Sequence, residues 1–271
     1  MNELSRRDLL ALGAGGLAML AGCSESAPVE SPSVFEDVSF EGTDMVVDLR
    51  ADHDIDRVNL VSPDGTLFTS ATVPVGATTV RLQVLDLNPG APEHYVPGEN
   101  TLIAVKGSEA IEKLVTEIVP NLSITTVSAR PKSSDHAGQL AVEVKNTGTG
   151  PSWIHQITYD GAPNFAANDD LSEDPGVHLL SEPNNREDSI IAANERRSYI
   201  GTSPPLIYPE NGSVATDCTG EVHLTVFAGT GTGSAISADI LVRPNGEASV
   251  IGSFGDFTCS AAEITKERGS Q

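Results

Sequence analysis

Hydrophobic and polar residues alternate with period two along most of the chain after residue 33. The alternation is clearest in the runs 80–84, 140–144 and 222–226, where valine or leucine occupies every second position. Such a pattern buries one side of a β-strand, whereas a helix would repeat every ~3.6 residues. Short runs of this kind, separated by turn signals, predict an all-β fold built from antiparallel sandwiches.

Turn signals divide this pattern into two successive regions. Ser62-Pro63-Asp64-Gly65 is an example, because proline presets φ for a turn and glycine accepts positive φ. A proline at position 120 ends the first region, and the next predicted strand follows almost at once. We therefore expect two β-sandwiches in tandem, over residues 34–120 and 121–263, followed by a polar tail over 264–271.

Two local assignments are less direct. The segment 112–119 fits either a helix face or a strand, and we favour a strand because Pro120 and another strand follow. Near the end of the chain, Pro244-Asn245-Gly246 predicts the turn of a hairpin between strands at 238–242 and 248–254.

The second region resembles the cell-adhesion-type immunoglobulin-like modules of prokaryotic surface proteins. The similarity lies in Leu140-Ala141-Val142-Glu143-Val144-Lys145-Asn146-Thr147-Gly148-Thr149-Gly150, a strand that ends in an "NxGxG" turn. The first region is similar to another such module through residues 62–65 and 97–102. The resemblance implies an immunoglobulin-like sandwich with an adhesive or spacer role, and it carries no catalytic residues.

The first 23 residues predict export and a lipid anchor. Arg6 and Arg7 precede an apolar run over 9–20, which is typical of a twin-arginine signal. The run is shorter than the ~20 apolar residues that span a bilayer. Leu20-Ala21-Gly22-Cys23 resembles a bacterial or archaeal lipobox, which implies removal of residues 1–22 and lipidation of Cys23. The alternatives are an uncleaved anchor or ordinary secretion.

The expected product is a domain on the outer face of the cytoplasmic membrane, held by the lipid on Cys23. Residues 23–33 have no hydrophobic periodicity and predict a short flexible tether.

Acidic residues dominate the charge of the chain. The 38 Asp and Glu residues outnumber the 16 Lys and Arg residues, which gives a formal net charge of -22. Such a charge repels itself at low salt but is screened at molar salt, where the Debye length is ~3 Å. Together with few lysines and few aromatics, the composition resembles that of the exported proteins of extreme halophiles. It argues against nucleic-acid binding, which needs a basic face.

Cys218 and Cys259 are the two cysteines left once Cys23 carries a lipid. An even pair in an exported protein predicts a disulfide. The closed loop of about 40 residues would contribute about 4 kcal/mol in the chain-entropy model. Two thiols or a metal pair are the alternatives.

Two acidic segments are candidate cation sites. Asp52, Asp54 and Asp56 alternate as in calcium loops, but the glycine and glutamate of a helix-loop-helix calcium site are missing, so we favour a solvated turn. The long insert over 161–188 contains Asn168-Asp169-Asp170 and Glu173-Asp174, which could bind a cation or keep an exposed loop hydrated. Calcium is the only cofactor that the sequence suggests.

The same insert is the candidate surface for a partner, an envelope or extracellular protein. By period two, Trp153, His155 and Tyr159 share one strand face, next to Asp169 and Asp170 of the insert. The alternative is that Trp153 is simply the core tryptophan of a sandwich.

Two acceptor sequons predict possible N-glycosylation. They are Asn121-Leu122-Ser123 and Asn211-Gly212-Ser213, and the second lies in the more turn-rich stretch.

No catalytic motif is visible. The histidines lack zinc spacing, the methionines are badly placed for a copper site, and no GxSxG elbow is present. Gly229-Thr230-Gly231-Thr232-Gly233 lacks the lysine and helix of a phosphate loop and predicts a flexible hairpin loop. The leading hypothesis is a non-enzymatic cell-surface lipoprotein with a binding, adhesion or spacer role. The alternatives are an ion- or small-ligand-binding accessory to a transporter, and a virus- or plasmid-encoded envelope protein.

Overall fold

A computed structural model describes residues 33–88, 93–130, 136–251 and 255–267. The predictions for Arg6, Arg7, Cys23 and the tether up to residue 32 lie outside these residues. The described chain is almost entirely antiparallel β-structure, with two single 3₁₀ turns at Phe165–Ala167 and Glu187–Ser189, which confirms the predicted all-β class. No helix within the described ranges has the length and apolarity needed to cross a bilayer.

The first half of the described chain forms two facing sheets and a short ribbon. The sheets have the orders β1-β2-β5 and β4-β3-β8-β9, and β6 pairs with β7. The strands are β1 (Phe35–Glu41), β2 (Asp44–Leu49), β3 (Arg57–Val61), β4 (Leu67–Thr72), β5 (Thr79–Gln83), β6 (Leu85–Asp86), β7 (Glu93–His94), β8 (Gly98–Lys106) and β9 (Glu109–Ile118). Strand β9 confirms the strand assignment for the ambiguous segment 112–119.

The first core lies between these sheets. Met45, Val47 and Leu82 enter it from one sheet and Leu60 and Leu102 from the other, and all five are fully buried or nearly so. Their spacing of two along each strand is the pattern that the sequence shows. Burial of each such side chain contributes ~1.5–3 kcal/mol, so this alternation is the main determinant of the sandwich.

The second half repeats the arrangement on a larger scale. Its sheets have the orders β10-β11-β15-β13 and β14-β12-β16-β17-β18. The strands are β10 (Leu122–Ala129), β11 (Leu140–Asn146), β12 (Ser152–Asp160), β13 (Leu180–Glu182), β14 (Ile190–Ile191), β15 (Arg196–Gly201), β16 (Val222–Thr230), β17 (Ile236–Val250) and β18 (Phe257–Lys266). Val142, Tyr199, Ile157, Val226 and Ile240 belong to the second core, between these sheets.

The two cores meet at a shared joint. Trp153 and Ile190, from the second half of the chain, belong to the first core. Tyr95 donates its hydroxyl to the carbonyl of Pro151, 2.7 Å away. A Cβ on Gly150 would lie 2.5 Å from the Tyr95 hydroxyl oxygen, so the backbone is packed tightly at this point. The described residues accordingly belong to one compact unit, Ser33–Gln271.

The end of the chain departs from the sequence prediction. Pro244-Asn245-Gly246 is no hairpin turn, because β17 continues through it and contains a bulge opposite β18 between Asn245 and Ala248. Pairing of β17 with β16 stops at Val242, so the missing N–H of Pro244 interrupts no ladder on that side. Gly246 supplies the positive φ, +84°, that the bulge needs. Strand β18 then reaches Lys266, so residues 264–266 are not part of a tail.

Cys218 and Cys259 form a disulfide, as the cysteine count predicts. Their Cα atoms lie 5.8 Å apart across a sequence separation of 41 residues. The bridge joins the long connection before β16 to the edge strand β18. Beside it, Tyr208 and Phe257 exchange backbone hydrogen bonds, and their rings lie 5.6 Å apart in a tilted arrangement, so this connection is held at two neighbouring points.

Candidate functional site

A bulge in β12 determines which side chains face the candidate site. Opposite β16, Ile154 pairs with Thr230 and Gln156 with Gly229, so His155 is an inserted residue. An inserted residue reverses the alternation beyond it. Tyr159 therefore lies in the second core, whereas Trp153 lies in the first core and contacts the insert. The prediction that Trp153, His155 and Tyr159 share one face is wrong for this reason.

Part of the insert lies across the side of β12 that faces away from the second core. Gln156 anchors it twice, because its Nε2 donates to the Asp170 carbonyl at 3.3 Å and its Oε1 accepts from the Ser172 N–H at 2.7 Å. The Trp153 Nε1 donates to the Pro175 carbonyl at 3.4 Å, and the Leu179 N–H donates to the His155 carbonyl at 2.8 Å. These four bonds fix the insert as an ordered cover over the strand.

A groove of about 430 Å³ opens between this cover and the β16–β17 turn. We call it the His155 groove. Its walls come from four places in the chain: the end of β7, the bulge of β12, the insert and the glycine-rich turn. The lining residues are His94, His155, Leu171, Ser172, Glu173, Pro175, Gly229, Thr230, Gly231, Thr232, Gly233 and Ala235. Its volume falls within the ~300–1,000 Å³ of small-molecule sites.

His155 is a buried polar residue of this groove, as Thr230 and Thr232 are. Its side chain is 3% exposed, and its Nδ1 has no hydrogen-bond partner among the described residues. Burial lowers the pKa of the imidazole to about 4, with Asp174 opposing that effect and His178 adding to it. The ring is therefore neutral at neutral pH, with one nitrogen as donor and the other as acceptor.

Two glycines, one near the end of β16 and one in the turn that follows, are required by the packing of the groove. A Cβ on Gly229 would lie 2.7 Å from the Cε1 and Nε2 atoms of His155, and one on Gly231 would lie 1.9 Å from the Trp153 ring. The turn backbone thus rests directly on the two rings. The segment joins two strands as predicted, but its prediction as a flexible loop misses this packing.

A second hollow, of about 330 Å³, collects three of the predicted partner-binding residues. Tyr159, Asp169 and Asp170 line it together with Thr158, Asp160, Asn168, Leu171 and Phe227. The Tyr159 hydroxyl is buried without a partner among the described residues, and burial raises the pKa of that phenol. The structure therefore separates the predicted residues: His155 lines one hollow, Tyr159, Asp169 and Asp170 line the other, and Trp153 lines neither.

The alternating aspartates do not converge. The Asp52 carboxylate pairs with Arg50, which lowers the pKa of that carboxyl, and the Asp54 carboxylate pairs with Lys106. The Asp56 Oδ2 accepts from the Gly107 N–H at 2.6 Å. Calcium needs several oxygens directed at one point. Among the described residues, no group of three or more His, Cys, Asp or Glu side chains could hold a metal ion.

Both predicted glycosylation sequons lie at the surface. Asn211 is exposed in the connection between Tyr208 and Cys218. Asn121 is exposed at the joint, where its backbone N–H donates to the Asn146 Oδ1 at 3.1 Å.

Two contributors to the His155 groove were missed at the sequence level. His94 comes from the first half of the chain, and its ring lies 5.9 Å from the Trp153 ring in an edge-on arrangement. Its Nδ1 donates to the Tyr95 carbonyl at 2.7 Å. No local pattern links residue 94 to residue 155. The glycine-rich turn could be recognised in the sequence, because glycine is the usual residue where the backbone packs closely against another group.

Comparisons with known proteins do not assign a family. No family model and no curated protein matches the chain. One similar solved structure is a glycosyl hydrolase family 2 member from Bacteroides cellulosilyticus, with 10% identity and a TM-score of 0.20 over 73% of this chain and 24% of that one. Another is a beta-glucuronidase of the same family, with 11% identity and a TM-score of 0.22 over 81% and 20%. The chain thus spans about a quarter or less of these enzymes, and such low similarity carries no activity to it.

Proposed function

We propose that this protein is an exported lipoprotein, tethered through Cys23, whose β-rich part is a non-enzymatic binding module. The twin arginines, the short apolar run and the cysteine after Leu20-Ala21-Gly22 occur in the order that export and lipidation require. The acidic composition suits a high-salt envelope, as in the exported proteins that it resembles.

The strand order supports an immunoglobulin-like module in the second half. In such modules one sheet has the order A-B-E-D and the other contains C, F and G. With β10 taken as strand A, the order β10-β11-β15-β13 corresponds to A-B-E-D, and β12-β16-β17 corresponds to C-F-G. Strands β14 and β18 extend the second sheet at its two edges.

The observation that carries the binding role is the insert fixed across β12. A long insert in a compact domain is usually functional when it is ordered. This one is anchored by four hydrogen bonds and encloses two adjoining hollows with polar walls. A spacer would have no need of such a construction.

Membrane fractionation tests the tether. We expect the wild-type chain to sediment with membranes and enter the detergent phase, and the Cys23→Ser variant to be released, because the lipid is the anchor. Ser24→Ala is the matched control and should behave like the wild type. Retention of Cys23→Ser on membranes would contradict the proposed anchor.

Affinity capture in high salt tests the binding role. Beads carry the mature protein or a variant in which residues 171–175 are replaced by glycine and serine. A binding module should retain an envelope or extracellular component that the variant does not. Equal retention by both proteins would count against the insert as the binding surface.

A transporter accessory that binds a small ligand is the second candidate function. The size of the His155 groove favours it, because about 430 Å³ suits a small molecule better than a flat protein interface.

A further inference from the structure

Three hydroxyl groups of residues that line the His155 groove direct their protons at other parts of the chain. The Thr230 hydroxyl donates to the Gly233 carbonyl at 3.0 Å, and the Thr232 hydroxyl donates to the Ser152 Oγ. The Ser172 hydroxyl donates to the Asp174 carbonyl at 3.4 Å. With their protons directed at these partners, the hydroxyl oxygens keep only lone pairs, one of which Ser172 already uses to accept from the Asp174 N–H at 3.1 Å.

The two imidazole rings of the groove add further polar atoms to its lining. The Nδ1 of His94 donates to the Tyr95 carbonyl, so Nε2 is the ring nitrogen that this bond leaves unused. His155 is buried, neutral at neutral pH and short of one hydrogen bond among the described residues. A buried polar atom without a partner costs free energy, which a hydrogen bond to a ligand can recover.

The charge at the groove is negative. Glu173 supplies the only carboxylate among the described lining residues, and no lysine or arginine is among them. Asp174 lies close enough for its charge to act on the His155 ring. Glu173 is exposed and has no hydrogen bond or ion pair within the described chain, so its carboxylate is available to a ligand.

We propose that the His155 groove binds a small organic cation through a guanidinium or ammonium group. Such a group carries several N–H donors and no acceptor, which complements a carboxylate and hydroxyl oxygens whose protons are already engaged. Its charge pairs with Glu173, and charge-assisted hydrogen bonds are the strong ones. The inference rests on the proposed binding role and adds the chemical class of the ligand.

Calorimetric titration of the full-length Cys23→Ser protein tests this inference. The probes are agmatine, L-arginine and the neutral analogue L-citrulline, in about 2 M KCl so that surface charge is screened. We expect the two guanidinium compounds to bind and citrulline not to bind. Equal affinity of citrulline and arginine, or no heat with agmatine up to about 10 mM, would overturn the proposal.

A matched pair of variants locates the site. Glu173→Gln should weaken agmatine binding by about threefold, because a charge pair at an exposed carboxylate contributes little at this salt concentration. Glu117→Gln, at an exposed position of β9, should leave the affinity unchanged. The ring resonances of His155 should shift on saturation with agmatine. Binding with no shift of that ring, or with undiminished affinity in Glu173→Gln, places the cation elsewhere and contradicts the proposal.

A short blocked peptide with one arginine separates the free cation from a polypeptide side chain. The proposal expects the peptide to bind no better than agmatine, and a peptide more than about tenfold tighter would overturn it. If the protein stays on membranes and captures a partner but binds no organic cation, only this inference is contradicted. Release of the wild-type chain from membranes contradicts the proposed function whatever the groove binds.

Discussion

At the residue scale, two glycines without side chains determine the shape of the His155 groove. The turn between β16 and β17 touches Trp153 and His155 through glycine backbone, and neither position has room for a methyl group. Well-packed interiors respond to changes as small as one methylene. Glycine at these two positions is therefore a packing requirement.

Gly231→Ala should destabilise the protein by about 3 kcal/mol or more, because its Cβ would overlap the Trp153 ring and force the turn away. Denaturant unfolding followed by tryptophan fluorescence measures this loss. Gly233→Ala, two residues along the same turn, is the matched control, since a Cβ there meets nothing within 4 Å. Similar denaturation midpoints for the two variants would contradict this prediction, because they would show that the turn can move to accommodate the added methyl group.

His155 should make the stability depend on pH in a defined direction. Burial lowers the pKa of His155 from 6.5 to about 4. Between these values the unfolded chain holds a proton that the folded chain does not, so acid favours unfolding. This group's contribution should decrease by about 1.4 kcal/mol per pH unit at most as the pH falls from 6.5 towards 4.

Comparison with His155→Gln isolates this contribution, because glutamine does not titrate and all carboxylates are retained. Unfolding free energies of the two proteins, measured between about pH 7 and 4, should converge as the pH falls. Parallel pH profiles would contradict a neutral, buried His155.

The disulfide acts at the scale of elements, because it ties the connection before β16 to the edge strand β18. The chain-entropy model gives about 4 kcal/mol for a loop of this length. The double variant Cys218→Ser, Cys259→Ser should lose about that much unfolding free energy, measured by chemical denaturation. The reduced wild-type protein is the control and should show the same loss; an unchanged midpoint after reduction would contradict this contribution.

Regular alternation could be predicted from the sequence, and interruptions of it could not. The buried positions Val142, Leu82 and Val226 follow from local spacing alone. The bulge at His155 does not, since an inserted residue is visible only against the partner strand. The prediction of a turn at Pro244 was wrong for a related reason. Pro244 is tolerated within β17 because pairing with β16 has already ended there, and the sequence alone does not show where β16 ends.

The candidate site was predicted in part. The insert and its acidic residues could be recognised by composition, because a long polar segment between strands is unusual. The contribution of His94 could not, because it depends on how the two halves of the chain meet. The placement of Trp153 and Ile190 in the first core could not be predicted either, because it also depends on how the two halves pack together.

At the scale of the whole molecule, the net charge determines how the stability of the fold depends on salt. A formal charge of -22 is spread along the chain, and the ion pairs of the described residues are partly or largely exposed. Exposed pairs contribute little, so they do not offset the repulsion. Screening by salt is therefore what reduces this repulsion.

The fold should therefore be lost as salt is removed. We expect the β-type circular-dichroism spectrum to persist at about 3 M KCl and to give way to that of an unfolded chain near 0.1 M, where the Debye length reaches about 10 Å. A matched series in sucrose separates charge screening from general stabilisation. An unchanged spectrum throughout the KCl series would contradict this expectation.

The anchoring of the insert also has an evolutionary consequence. Its hydrogen bonds to β12 involve its backbone at Asp170, Ser172, Pro175 and Leu179 rather than its side chains. Side chains between these points, such as Leu171 and Glu173, can mutate while the backbone keeps its course. Related chains could thus diversify what they recognise by drift within a few positions, with no cost to the hydrophobic cores beneath.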